Sequence, residues 1–120
     1  MKHALIVEDD TFLAGIYAAK LERLGYGVRV AASVREAVRK LEEAKPDVVM
    51  LDMVLGAASG LQVLDYLRQM SEGGTVPVVV VSNQGEPEVV QRARQGGVST
   101  YLMKSYYTPS EIALQVHAAV

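Results

Sequence analysis

The 120-residue sequence contains no cysteine, which excludes disulfide bonds, zinc–thiolate sites and thiol catalysis. It also lacks an apolar run of membrane-spanning length, and no signal peptide precedes its first apolar segment, so a cytoplasmic protein without a membrane partner is expected. An excess of one charge is missing too, because the net charge is −2 and the basic residues are scattered. Nucleic-acid backbones require clustered lysine and arginine, so direct nucleic-acid binding is not expected.

Hydrophobic residues make up 50% of the sequence, enough for the core of one domain spanning residues 1–120. Short apolar runs alternate with segments of helical periodicity, without a linker or repeat between them. Five such runs predict strands, at residues 4–7, 28–32, 47–51, 77–81 and 98–103. Four of them show no polar–apolar alternation, which is typical of strands buried on both faces of a parallel sheet.

Helix signals stand between the predicted strands. Ser33–Glu36, Ser59–Gln62 and Thr108–Glu111 have the spacing of a capping box, which marks the start of a helix. Gly25 is expected to end the first helix, and the fourth is expected to begin near Pro87. The alternation predicts one α/β domain with a doubly wound, five-stranded parallel sheet.

Four of the predicted strands end directly before side chains that can bind or react. In chain order these are Glu8, Asp9, Asp52, Ser82 and Lys104. Doubly wound sheets bind ligands at the carboxyl ends of their strands, near the point where the strand order reverses. We therefore expect three carboxylates, one hydroxyl and one ammonium to face a single crevice.

This set of side chains suits the transfer of a phosphoryl group to a carboxylate. Crowded carboxylates repel one another unless a cation intervenes, and Mg²⁺ prefers a few carboxylates together with phosphate oxygens. Asp52 is an oxygen nucleophile of the kind that forms an acyl phosphate. Lys104 and Ser82 can bind phosphoryl oxygens, one as a point charge and the other as a hydroxyl donor.

Each of these residues also has an ordinary structural interpretation. Aspartate at a strand end often forms a turn or caps a helix, and this is the better interpretation of Asp10. Taken alone, Ser82 is more simply a capping hydroxyl and Lys104 a solvated charge. Their joint occurrence at separate strand ends is what favours one common site.

The chain resembles a known family, the receiver domains of bacterial two-component response regulators, over essentially its whole length. The resemblance rests on five segments in the family's order, namely Leu5–Asp9, Asp47–Asp52, Gly60, Pro77–Ser82 and Tyr101–Lys104. It implies the fold of the chemotaxis regulators, a (βα)5 flavodoxin-like arrangement with strand order 2-1-3-4-5.

The resemblance also implies a function. Asp52 would be phosphorylated by a histidine kinase or a histidine phosphotransfer protein. Mg²⁺ would be bound by Asp9, Asp52 and the backbone carbonyl of Val54, with Glu8 acting nearby or through water. Such a domain is not an enzyme for other substrates, because it catalyses only its own phosphoryl transfer and autodephosphorylation.

Further roles follow from the same resemblance. Ser82 and Lys104 would bind the phosphoryl oxygens. Tyr101 matches the aromatic residue that turns inward when the hydroxyl residue moves toward the phosphoryl group. The surface of the fourth helix, fifth strand and fifth helix would then switch, and it would serve an output partner of unknown identity or a homodimer.

The chain departs from the family pattern beside these residues. Lys104 is usually followed by proline, often after a cis bond, whereas Ser105 follows here. A cis bond before serine would cost about 3–4 kcal/mol, so a trans bond or a reshaped loop is expected. Asn83 replaces a usually small residue and is expected to narrow access to Asp52. Gly56 and the alanine after it replace the usual Pro-Gly.

The first helix carries an unusual face. Phe12, Gly15, Ile16 and Ala19 fall at i, i+3, i+4 and i+7, where a solvated helix would normally show charge. Tight packing against a neighbouring helix would explain Ile16. In the family, the start of this helix and the loop after the fifth strand contact the phosphodonor. We therefore expect three of these residues, together with one in that loop, to be exposed around the crevice: Phe12, Gly15, Ala19 and Tyr106.

Three other classes of protein share parts of this pattern. A flavin-binding electron carrier would need a phosphate loop after the first strand, where Glu8 and Asp9 would repel a phosphate. A phosphatase with an aspartyl nucleophile would need a second aspartate at the position of Val54. A degenerate receiver that acts only as an interaction module would normally have lost Asp9, Asp52 or Lys104, and all three are present.

Overall fold

The computed structural model describes residues 1–70 and 74–120. The strands are β1 (His3–Val7), β2 (Gly27–Ala31), β3 (Val48–Leu51), β4 (Val54–Leu55), β5 (Ala58–Ser59), β6 (Val78–Ser82) and β7 (Thr100–Met103). The helices are α1 (Thr11–Arg23), α2 (Val34–Glu43), α3 (Gly60–Gln69), α4 (Pro87–Gln95) and α5 (Pro109–Ala118), and a short 3₁₀ turn covers Lys104–Tyr106. None of the helices in the described ranges combines the length and apolar character that a membrane span requires.

The main sheet has five parallel strands in the order β2-β1-β3-β6-β7. Counted without the small β4–β5 hairpin, this is the predicted order 2-1-3-4-5, and the fold class is confirmed. Predicted strand boundaries differ from the observed ones by one or two residues, most at the last strand, which begins at Thr100. Strand ends are set by where the ladder of hydrogen bonds stops, and residue type reports this poorly.

The sheet is covered by helices on both faces, which explains the continuous apolar runs of its central strands. Alternate residues of one strand point to opposite faces. Leu5 and Leu51 pack in a core with residues of α2, α3 and α4. Ile6 and Met50 pack in a second core with residues of α1 and α5. Every residue of β3 is therefore buried, as the absence of alternation predicts.

The predicted helix starts are present, but only one of the three predicted capping boxes is complete. At α5 the capping box is complete, because the Thr108 hydroxyl accepts the Glu111 N–H at 3.1 Å and the Glu111 carboxylate accepts the Thr108 N–H at 2.8 Å. Ser33 caps α2 through its hydroxyl. The Ser59 hydroxyl caps α3 through the Leu61 N–H rather than forming the predicted box, since either amide of the first turn can be the donor.

The helix α4 is held unevenly. It buries one described residue, Ala93, fewer than any of the other four α-helices. Its N-cap residue, Glu86, makes no capping bond through its side chain. At the opposite end, the Arg68 guanidinium donates to the carbonyl oxygens of Gly96 and Gly97 at 2.7 and 3.2 Å. The C-terminal end of α4 is therefore anchored to α3, while its N-terminal end lacks a comparable side-chain anchor.

A short antiparallel hairpin of β4 and β5 follows β3, and sequence patterns did not predict it. Each strand has only two residues, too few to show a period, and Gly56 makes the turn with φ +62°. The chain returns at Gly60, whose amide donates to the Met53 carbonyl at 2.8 Å. A Cβ atom on Gly60 would lie 2.1 Å from the Asp52 carbonyl oxygen, so only glycine fits this return.

Substitution of Gly60 and Gly15 by alanine should have opposite effects on stability. We expect Gly60→Ala to lower the free energy of unfolding by at least about 1–3 kcal/mol, because backbone must move to accommodate the methyl group. Gly15→Ala should raise it by roughly 0.5–1 kcal/mol, because this exposed helical position has open space around the added atom. Urea unfolding followed by circular dichroism measures both, and equal changes in the two variants would contradict the close approach at Gly60.

Candidate functional site

An ammonium group lies between two buried carboxylates at the carboxyl edge of the sheet. Lys104 Nζ is 2.8 Å from Asp52 Oδ2 and 2.6 Å from Glu8 Oε1. Glu8 directly follows β1, Asp52 directly follows β3, and Lys104 directly follows β7. Parallel strands bring these ends to one edge of the sheet, so the predicted convergence of the three residues is confirmed.

Burial changes the protonation behaviour of this cluster. Glu8 is almost fully buried, and burial raises the pKa of its carboxyl above the usual range, against the opposing effect of Lys104. Burial alone would lower the pKa of Lys104. Its hydrogen bonds to Asp52 and Glu8 have the opposite effect and are stronger, so the pKa of Lys104 lies well above its usual value of 10.5. Lys104 therefore stays charged at neutral pH, and its stabilising contribution is lost only as the pH rises into the alkaline range.

A third carboxylate, Asp9, completes a cluster of oxygen atoms. One oxygen each of Glu8, Asp9 and Asp52 lies within 4.8 Å of the others, close enough to coordinate one ion. Asp9 is exposed, and its Oδ2 atom accepts the N–H of Gly56 from the hairpin turn at 2.9 Å. Hard carboxylate oxygens in this number fit Mg²⁺, which binds a few protein ligands and keeps several waters.

The hairpin also contributes Val54 to the rim of the site. Its N–H donates to Asp52 Oδ1 at 3.1 Å, while its side chain is 46% exposed. Asp52 therefore has one oxygen directed to a backbone amide and the other to Lys104. That the Val54 carbonyl is a metal ligand stays a prediction.

The predicted switch residues Ser82 and Tyr101 are joined through Gln84. Ser82, the last residue of β6, is 0% exposed, and its hydroxyl accepts the Gln84 N–H at 3.2 Å. The Tyr101 ring is half-buried against the core, and its hydroxyl donates to the Gln84 carbonyl. A shift of Ser82 would therefore displace the acceptor of Tyr101.

A crevice of about 580 Å³ is lined by Glu8, Asp9, Asp52, Val54, Ser82 and Lys104. Its wall also includes Asn83, Gln84 and Glu86 from the loop before α4, and Leu13 from α1. Asp10 lies at the crevice too, but its side chain caps α1 by accepting the Leu13 N–H at 3.1 Å, which confirms its structural interpretation.

Comparison with known proteins agrees with this geometry. The family model described as the response regulator receiver domain matches residues 4–117. The chain belongs to the response regulator receiver family. The receiver domain is 31% identical over 108 residues to the polar-differentiation response regulator DivK of Brucella ovis, covering 90% of this chain and 88% of DivK.

A second relative and a solved structure extend the comparison. The receiver domain is 29% identical over 119 residues to the phosphate regulon transcriptional regulatory protein PhoB of Escherichia coli K12, covering 99% of this chain and 52% of PhoB. The chain thus spans about half the length of this relative. The chemotaxis protein CheY4 of Vibrio cholerae superimposes with a TM-score of 0.90 at 24% identity, covering 100% of this chain and 99% of CheY4, which shows the shared fold.

The four residues predicted to surround the crevice entrance are exposed in the receiver domain. Phe12 and Tyr106 are each 76% exposed, and Gly15 and Ala19 are exposed as well. Ile16 on the same helix is half-exposed, and its packing against a neighbouring helix stays a prediction. We name these four exposed residues the α1 rim: Phe12, Gly15, Ala19 and Tyr106. Phe12 directly precedes Leu13, which lines the crevice, and Tyr106 lies two residues after Lys104, which also lines it.

Two contacts of the site were not predicted from the sequence. Glu8 contacts Lys104 directly, although its role was expected to be toward the metal. Asn83 Oδ1 accepts the Ser105 N–H at 3.1 Å, and no signal pairs these residues in a single sequence. The peptide bond between Lys104 and Ser105 is trans, as the cost of a cis bond before serine predicts.

Removal of the Lys104 ammonium should destabilise the receiver domain in a pH-dependent way. At pH 7 we expect Lys104→Met to lower the free energy of unfolding by roughly 1–3 kcal/mol, less than for a fully buried pair because the crevice is open to solvent. The loss should shrink as the pH falls toward 4.5, the ordinary pKa of Glu8, because protonation removes an unpaired buried charge.

Denaturant unfolding at pH 5 and pH 7 measures this difference, with Lys45→Met, at an exposed lysine, as the control. A loss that is the same at both pH values would show that the ammonium does not compensate the buried carboxylates.

Proposed function

We propose that residues 1–120 form a phosphorylation-competent receiver domain, in which Asp52 accepts a phosphoryl group from a phosphohistidine with Mg²⁺ as cofactor. The observation that carries the proposal is the position of Lys104 Nζ, 2.8 Å from Asp52 Oδ2 and beside the cluster of Glu8, Asp9 and Asp52 oxygens. A nucleophilic carboxylate, a fixed cation and hard oxygen ligands are the groups that phosphoryl transfer to aspartate requires.

In the proposed reaction, a carboxylate oxygen of Asp52 attacks the phosphorus atom. The bond from phosphorus to the donor nitrogen breaks as the new phosphorus–oxygen bond forms. Because the transition state spreads negative charge over the phosphoryl oxygens, positioning and charge neutralisation provide most of the catalysis. Lys104 would bind one of these oxygens, and Ser82 would donate a hydrogen bond to another.

The metal would be held by residues that already point to one place. Asp9 and Asp52 supply carboxylate oxygens, the Val54 carbonyl is the third proposed ligand, and Glu8 lies beside them. When bound, Mg²⁺ would neutralise charge on the carboxylates and the phosphoryl group. The geometry supports this proposal over a degenerate receiver, because Asp9, Asp52 and Lys104 are all present and converge on one crevice.

The proposed output is a change of the surface formed by α4, β7 and α5. Ser82 is buried and bonded to Gln84, so it must shift to reach a phosphoryl oxygen. Gln84 would move with it and carry the acceptor of Tyr101. The loosely held N-terminal end of α4 follows this loop and can respond. An output partner or a second copy of the receiver domain would bind the altered surface.

We further propose that the α1 rim is where a histidine kinase or histidine phosphotransfer protein docks. Phe12 and Tyr106 each lie within two residues of a residue that lines the crevice around Asp52, and the four residues of the rim carry no charge. Exposed aromatic side chains of this kind are enriched in protein interfaces.

The reaction can be tested directly by mass. Acetyl phosphate with Mg²⁺ should add one acid-labile phosphoryl group to the wild type, because the carboxylate and its counter-charges are in place. Asp52→Asn, which keeps the size of the side chain but removes the nucleophile, should carry no adduct. Intact-mass spectrometry checks both, and beryllofluoride should occupy the wild-type site in the same way.

The role of the metal has its own control in that experiment. Asp9→Asn should form the adduct much more slowly and should lose most of the Mg²⁺-dependent rise in melting temperature, because binding to the folded chain alone stabilises it. A wild type without adduct at saturating acetyl phosphate and Mg²⁺ would favour the degenerate receiver instead.

Docking at the α1 rim can be separated from the chemistry. Gly15→Arg should slow phosphoryl transfer from a phosphorylated histidine phosphotransfer protein by about tenfold or more, because a long charged side chain would enter the interface. Phosphorylation by acetyl phosphate should stay nearly unchanged. Gly15→Ala is the matched control, since it alters the backbone preference without adding bulk. Equal losses with both donors would indicate damage to the site and would rule out the docking role.

A further inference from the structure

Past the end of the β6–β7 ladder, two side chains connect the loop after β6 to the chain around β7. The Tyr101 hydroxyl donates to the Gln84 carbonyl, and the second contact is made by Asn83. The last residues paired between these strands are Ser82 and Met103. One residue further, the Asn83 side-chain oxygen accepts the backbone N–H of Ser105 at 3.1 Å. In the described part of the chain, no backbone hydrogen bond joins residues 83–86 to residues 104–107. The contact between Asn83 and Ser105 therefore continues the connection between the two strands after the ladder ends.

This contact depends on the two departures from the family pattern that flank the site. A proline after Lys104 would have no N–H to donate. A small residue after Ser82 would have no side-chain acceptor. Here both positions have changed, and their new groups meet in a single hydrogen bond. This hydrogen bond therefore depends on both departures from the family pattern. Its two residues directly follow Ser82 and Lys104, the residues proposed to bind the phosphoryl oxygens.

We propose that Asn83 is a positioning residue for phosphoryl transfer, because its bond to Ser105 fixes the Ser82 segment relative to the Lys104 segment. This inference rests on the proposed function. Asn83 lines the crevice and is exposed, so it contributes little to the core. Its bond instead constrains two short segments whose preceding residues must bind the same phosphoryl group.

The positioning role predicts the direction in which the rates of phosphorylation and dephosphorylation change when the hydrogen bond is lost. Ser82 and Lys104 would stabilise the transition state both when the phosphoryl group arrives and when water removes it. Loosening their relative position should therefore slow both steps. Because a neutral hydrogen bond contributes a modest net free energy, we expect both rates to fall by roughly three- to tenfold.

Two substitutions separate positioning from simple blocking of the crevice. Asn83→Leu keeps the bulk of the side chain and removes the acceptor, and Asn83→Ala removes both. The rates of adduct formation with acetyl phosphate and of adduct loss after its removal are measured by intact mass. Gln69→Leu makes the same kind of change at an exposed amide of α3, away from the crevice, and should match the wild type.

Positioning predicts that both Asn83 variants form and lose the adduct more slowly, by similar factors. Blocking predicts instead that Asn83→Ala reacts faster while Asn83→Leu does not, and that result would overturn the inference. Unchanged rates in both variants would overturn it as well. Absence of adduct on the wild type would overturn the proposed function, and the inference with it, so the two failures are distinguishable.

A rescue experiment links the rates to the hydrogen bond. Asn83→Asp retains a side-chain oxygen that can accept the Ser105 N–H, so its rate of adduct loss should return toward that of the wild type. Hydrogen exchange of the Ser105 amide should be fast in Asn83→Leu and slow in Asn83→Asp. A slow adduct loss in Asn83→Asp despite a protected Ser105 amide would contradict the positioning role.

Discussion

The ion pairs of Lys104 with Glu8 and Asp52 are the interaction on which the rest of the site depends. They join the ends of three strands, β7, β1 and β3, at the edge where the strand order reverses. Without the ammonium, two carboxylates would be buried side by side, and their repulsion would oppose the folded state. The same ammonium group of Lys104 lies beside Asp52, the proposed nucleophile. Stability and reactivity therefore place opposite requirements on the contact between Lys104 and the carboxylates. The unphosphorylated site is stabilised by these ion pairs, whereas in a phosphorylated site Lys104 would leave them to bind a phosphoryl oxygen.

Much of the fold and most of the site could be predicted from the sequence, for reasons visible in particular residues. The continuous apolar run of β3 is dictated by helices on both faces, so its burial is encoded residue by residue. Asp52 directly follows this run and Lys104 directly follows the last strand, and the parallel topology brings the two strand ends to one edge. The β4–β5 hairpin could not be predicted, because two residues per strand have no period. The bond between Asn83 and Ser105 was equally hidden, because it depends on the loop geometry beyond both strand ends.

Two glycines of the hairpin region, Gly56 and Gly60, act through geometry rather than through chemistry. Gly60 permits the hairpin to return against the carbonyl of Asp52, where any side chain would collide with backbone. The turn at Gly56 directs an amide toward Asp9. The hairpin thus connects two of the carboxylates in the oxygen cluster, and the shape of a four-residue ladder contributes to the spacing of the proposed metal ligands. Residues without functional groups therefore determine where the functional groups stand.

The uneven anchoring of α4 implies a gradient of local stability across the molecule. Asp52 follows a central strand that is buried throughout, a segment expected to open only with global unfolding. The N-terminal turn of α4 contains no fully buried residue, and its N-cap residue Glu86 makes no side-chain capping bond. We therefore expect this turn to open at a lower free-energy cost than β3. Phosphorylation of Asp52, at the end of β3, would thus lead to movement of α4, the helix with the fewest buried residues in the described part of the chain. The clamp from Arg68 at the far end would make that motion a rotation about a fixed hinge rather than a general loosening.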